Sequence, residues 1–151
     1  MGNVTLDLLE TWLSLRELSM EEIQARFGIS QKQVTHDTRY LGLTGLTSMA
    51  NPDAHPGEFY FCGDEFALFY IEDLSEELGQ LGPQLLQEHL GEPGAVLGSR
   101  AGKQQNHYVY PEKGIAFSAD SQGISYLEIF EPTSSKRYKS RMYLKASPFM
   151  R

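Results

Sequence analysis

The chain has 151 residues, 40% hydrophobic and 22% charged, the size and balance of about one soluble folded domain. Its 13 basic and 20 acidic side chains give a net charge of −7, which excludes a protein that coats nucleic acid by phosphate neutralisation alone. No apolar run reaches the roughly 20 residues of a membrane-spanning helix. The start, MGNVTLDLLETWL, lacks the cationic stretch and cleavage site of a secretory signal. Cys62 is the one cysteine, so no internal disulfide or cysteine-rich metal site can form, and a reducing cytoplasm is the expected compartment.

Charge is unevenly distributed. Residues 1–75 hold 4 basic and 12 acidic side chains, a net of −8. Residues 76–151 hold 9 and 8, a net of +1. The last twenty residues carry no carboxylate side chain but contain Lys136, Arg137, Lys139, Arg141, Lys145 and Arg151. Such a segment either faces the acidic half and water, or meets an acidic partner, an anionic lipid surface or RNA.

In chain order, Leu6, Leu9, Trp12 and Leu13 recur at three- and four-residue steps and predict a helix over 5–18. Ser19 with Glu22 forms a capping box for a second helix that stops at Gly28. Ser30 caps a third expected helix, to about Leu41, with Val34 and Leu41 as apolar positions. Residues 42–57 are rich in Gly, Pro, Asn and Asp and read as an irregular connection. Strands follow at 58–62 and 66–71 around Gly63-Asp64-Glu65. A polar helical stretch at 75–90 is broken by Gly82-Pro83. A second hairpin joins 107–110 to 114–118, a strand spans 124–130, and Ser134 or Ser135 caps a terminal helix to about Leu144.

This pattern predicts an α+β fold: N-terminal helices plus an antiparallel sheet, with helices over one face. An acidic segment with the first hairpin (1–75) joins a helix, strands and a basic terminus (76–151) in one unit. The halves rhyme: residues 21–28 align with 84–91 through Gln24/Gln87 and Gly28/Gly91, and each helix precedes an aromatic hairpin containing Ala67 or Ala116. One sheet and two tandem helix–hairpin repeats both remain open.

The layout of helix, Leu90-Gly91-Glu92-Pro93, then the strands from Tyr108 and Ile124, resembles the small α/β module of the outer-membrane-assembly lipoprotein and β-lactamase inhibitor protein families. The resemblance covers residues 80–130 and implies protein binding, sometimes by tandem modules. The chain lacks those families' lipoprotein signal or paired cysteines, so neither compartment nor partner carries over.

A competing resemblance runs from Ser19 to Asp37. Two helices around Gly28-Ile29 resemble the helix-turn-helix of DeoR-like bacterial regulators, which would offer Lys32, Gln33, Thr35, His36 and Arg39 to DNA. Gln24 and Thr38 depart from that pattern, and the motif lies in the acidic half.

Catalytic motifs are sparse. There is no G-x-x-x-x-G-K-[ST], G-x-G-x-x-G or H-E-x-x-H, and His36, His55, His89 and His107 never fall at i, i+4 spacing. No catalytic residue, metal ligand or cofactor is expected. The stretch GSRAGKQQNHYVY sets cations on a glycine-containing loop before an aromatic strand, a composition suited to partner contacts. The expected function is therefore a non-catalytic cytoplasmic protein-binding or assembly protein, with contacts at Arg100, Lys103, Asn106, His107, Tyr108, Arg137 and Arg141. The alternative is a DNA-binding regulator using residues 19–41, the only case in which nucleic acid is a partner. Self-association is left open.

Overall fold

The computed structural model describes residues 4–40, 43–50, 57–72, 83–99, 105–120 and 123–142, with the side chains of 4–8 and 72 outside the description. Helix α1 (Val4–Ser14) continues into a single 3-10 turn at Leu15–Glu17. Helix α2 (Met20–Phe27) starts at the Ser19/Glu22 capping box and ends on left-handed Gly28, as its sequence predicts.

The predicted third helix is not formed. The Ser30/Gln33 box caps only one 3-10 turn, after which β1 (Val34–Tyr40) is extended. Val34, Thr35 and Thr38 are β-branched and His36 and Asp37 are weak helix formers, so pairing with a neighbouring strand wins. That neighbour is β2 (Leu43–Ala50), inside the stretch read as irregular; residues 51–56 of that stretch lie outside the described residues. Thr38 secures the pairing by donating its hydroxyl to the Leu46 carbonyl at 3.0 Å.

The remaining strands are β3 (Gly57–Cys62), β4 (Glu65–Glu72), β5 (Ala95–Gly98), β6 (Asn106–Tyr110), β7 (Ile115–Ala119) and β8 (Ile124–Phe130). Helix α3 is Pro83–Leu90 and helix α4 is Ser135–Arg141. All eight strands form one antiparallel sheet in the order β1-β2-β3-β4-β8-β7-β6-β5. The mixed α+β class is as expected, though strands dominate.

Alternation along the strands divides the core into two layers. On one face Phe59, Phe69, Ile71, Phe117, Leu127 and Ile129 meet Leu9, Trp12 and Leu15 of the N-terminal segment, Ile23 of α2 and Leu86 of α3. Trp12 stands edge-on to Phe69 at 6.1 Å, and Phe59 stacks on Phe69 at 4.2 Å. Each buried aromatic adds about 2–3 kcal/mol of burial free energy. On the opposite face Leu46, Leu68, Val109, Ala116 and Phe130 meet Tyr138 and Met142 of the α4 segment. Helices therefore cover both faces, correcting the one-face expectation.

Candidate functional site: a basic groove above a buried polar network

The α4 sequence SKRYKSR turns only one stripe inward. Ser134 caps the helix by accepting from the Arg137 N–H at 3.1 Å. Tyr138 and Met142, one turn apart, are 1% and 6% exposed, while Lys136, Arg137, Lys139 and Arg141 face outward. The aromatic ring of Tyr138 packs 5.1 Å from that of Phe130.

Beneath Tyr138 lies a polar network inside the sheet. Glu128 is fully buried in β8 and accepts from the hydroxyls of Tyr40 and Tyr138, one on each carboxylate oxygen. Tyr138 spends its single hydroxyl proton there, so its oxygen accepts from His107 Nε2–H at 2.5 Å. Nδ1 of His107 faces the Tyr126 hydroxyl at 2.8 Å, and Nε2 lies 3.7 Å from the Glu128 carboxylate. Buried polar groups of this kind are tolerable only when mutually satisfied. His107 of β6 and Glu128 of β8 thus hold Tyr138 of α4 in place, and Tyr40 of β1 joins the network at Glu128. Alongside, Ser118 and Ser125 both donate to Gln105 Oε1, at 2.8 and 2.6 Å.

The same face is rich in tyrosine: the Tyr40 ring lies 5.5 Å from those of both Tyr60 and Tyr70. Burial, reinforced by the Glu58 carboxylate, pushes the Tyr60 phenol from its ordinary 10.0 up to about 12. The unfolded chain therefore releases that proton first. The contribution of this phenol to stability is constant below pH 10 and falls as pH rises from 10 towards 12. Tyr60→Phe should lose less stability over this interval in urea titrations; an equal loss would show that other groups govern alkaline unfolding.

Beside α4 a groove of about 550 Å³ opens over this layer. Leu43, Leu46, Phe66, Ala67, Phe130 and Met142 give it an apolar lining, and Arg137 and Arg141 line it from α4. The two arginines are four residues apart and stand on one side of the helix, a spacing that suits two carboxylates. Among the described residues neither guanidinium forms an ion pair. The exposed thiol of Cys62 also borders the groove.

The expected contacts separate. Arg100 and Lys103 lie outside the described residues. Asn106 is exposed and donates to the Tyr108 hydroxyl at 3.4 Å. His107 is 1% exposed and committed to the network, so it is not a surface contact. Tyr108 points to the face covered by α1, α2 and α3, 5.1 Å from the Phe117 ring. Consecutive strand residues take opposite faces, and a run of neighbours cannot form one patch. Among the described residues, Asn106 meets Tyr108 on one face, and Arg137 and Arg141 stand together on the other side at the groove.

Lys32 and Gln33 are exposed on the 3-10 turn, and Thr35, His36 and Arg39 on edge strand β1. With no recognition helix beneath them, the expected helix-turn-helix presentation is absent. Glu128, Tyr40, Tyr126 and Tyr138 were not singled out by sequence, although a carboxylate between Leu127 and Ile129 breaks an otherwise apolar run.

No helix among the described residues is long and apolar enough to cross a membrane. No group of three or more His, Cys, Asp or Glu side chains among them is arranged to hold a metal ion. No protein-family model matches the chain, and neither a curated protein nor a solved structure is significantly similar to it.

Proposed function

We propose that the chain is a non-catalytic protein-binding or assembly protein whose groove beside α4 takes an acidic, partly apolar surface of a partner. The observation that carries this is the pair Arg137 and Arg141, unpaired among the described residues and set over an apolar lining on a chain of net charge −7. The half-buried Leu43 and Ala67 offer a small apolar contact, while the arginines select charge and orientation. The Tyr138 anchor keeps the helix in place without consuming its cations. An exposed free thiol at Cys62 suits a reducing cytoplasm.

A tagged full chain and its Arg137→Glu/Arg141→Glu variant, expressed in the native cell, test this by quantitative mass spectrometry of co-purified proteins. At least one protein should fall about ten-fold or more in recovery with the variant, equivalent to about 1.4 kcal/mol. Equal recovery of every enriched protein, untagged copies of the chain included, would remove the groove from the function.

An ancestral duplication also accords with the strand order. Each half runs helix, then four antiparallel strands from the sheet edge to its centre, with β4 and β8 side by side. The left-handed glycines Gly28 and Gly91 follow the corresponding helices α2 and α3. In this scheme β3–β4 corresponds to β7–β8, so Gln24/Gln87 and Gly28/Gly91 remain equivalent while Ala67/Ala116 does not.

A further inference from the structure

We infer that the acidic partner of the groove is a second copy of this chain, docked about a two-fold axis. This rests on the protein-binding function proposed above. Next to the groove lies a cleft lined by Glu17, Glu22, Asp64, Glu65 and Glu131, all exposed. Groove and cleft share Phe66 and Glu131, so a basic and an acidic half adjoin along that border.

Among the described residues lining it, the acidic half holds one cation. That cation, Arg16, donates to the neutral carbonyls of Lys113 and Phe130 at 2.7 and 3.1 Å and offsets at most one of the five negative charges. Glu22 accepts from the Ser19 N–H, which leaves its charge in place. Within one molecule the two halves sit side by side, and among the described residues no ion pair joins them.

A two-fold axis through the Phe66–Glu131 border lays each half on its complement and closes the contact. The exposed β3–β4 turn, carrying Asp64 and Glu65, then reaches the partner's Arg137 and Arg141. Phe66, buried in the monomer, marks the border near the axis, so the contact is held chiefly by charge. An unrelated acidic protein could satisfy the basic half, but it would set its own carboxylates beside Glu17, Glu22, Asp64 and Glu65 of this chain, which among the described residues face one arginine. Self-pairing satisfies both.

Sedimentation velocity of the purified full chain across the micromolar range, at low and high salt, reads this directly. A monomer–dimer equilibrium that weakens with salt is expected. Arg137→Glu/Arg141→Glu and Asp64→Lys/Glu65→Lys should each weaken the dimer about ten-fold or more, because like charges then face each other twice. Mixed in equal amounts, the two variants should form a heterodimer of wild-type affinity, since both contacts are again complementary. That recovery also shows that both variants are folded. A wild-type chain that stays monomeric, or a mixture that does not associate, would overturn the dimer. If a co-purified protein is still lost with Arg137→Glu/Arg141→Glu in that case, the protein-binding function stands without self-pairing. If neither association nor co-purification responds, both fall.

Discussion

Glu128→Ala should lower unfolding free energy by about 3–5 kcal/mol, as expected for removing the acceptor at the centre of a buried polar network. The carboxylate accepts from Tyr40 and Tyr138, and deleting it leaves two hydroxyls inside the sheet with an acceptor removed. The His107 imidazole loses its neighbour as well, because its Nε2 partner Tyr138 is oriented by the same carboxylate. Urea unfolding followed by circular dichroism measures the change. Glu128→Gln keeps one acceptor oxygen and should cost about half as much or less. Equal effects of the two substitutions would mean that an isosteric side chain with one acceptor oxygen recovers nothing, and that the network requires the charged carboxylate with both of its oxygens. Because Tyr138 is one of the two buried anchors of the α4 segment, Glu128→Ala should also expose the arginine-bearing helix to proteolysis before the sheet unfolds.

Gly114→Ala is expected to destabilise the chain by about 3 kcal/mol or more, combining left-handed backbone strain with a backbone clash. Gly114 has φ +70°, and a Cβ there would stand 2.1 Å from the Phe130 carbonyl oxygen and 2.2 Å from Arg16 Nη1. Neither neighbour moves cheaply. Gly114 O accepts from Phe130 N at 2.9 Å, and the Arg16 guanidinium is held by the Lys113 and Phe130 carbonyls. Gly28 provides the control, since its φ of +68° is nearly the same but a Cβ meets nothing within 4 Å. Gly28→Ala should therefore cost only the conformational part, about 1–2 kcal/mol. Equal losses at the two positions would show that the approach of Arg16 and Phe130 carries no energetic weight.

Much of the fold was legible locally. Strands β3, β4, β6, β7 and β8 carry dense aromatic and branched residues between recognisable turns, a composition that favours a pleated, buried surface. The caps at Ser19 and Ser134 needed only neighbours three residues away. Strand β1 reads as a helix behind the Ser30 cap, and β2 reads as a loop because its threonines, serine and glycine suit one, until partner strands accept their backbone hydrogen bonds. The Ser30/Gln33 box was a true local signal, but one 3-10 turn satisfied it.

By itself the sequence determined the α+β class, both ends of α2, the cap of α4, most strands and the segregation of charge into an acidic half and a basic terminal segment. Those properties depend on side-chain periodicity and local hydrogen bonds, which neighbouring residues settle among themselves. Tertiary structure decided that His107 is internal, that Tyr108 points to the other face, and that Arg137 and Arg141 share one groove. It also joined Tyr40 to Glu128, 88 residues apart in the chain. A buried carboxylate is unfavourable until such distant donors close around it, so only the completed sheet could give Glu128 its place.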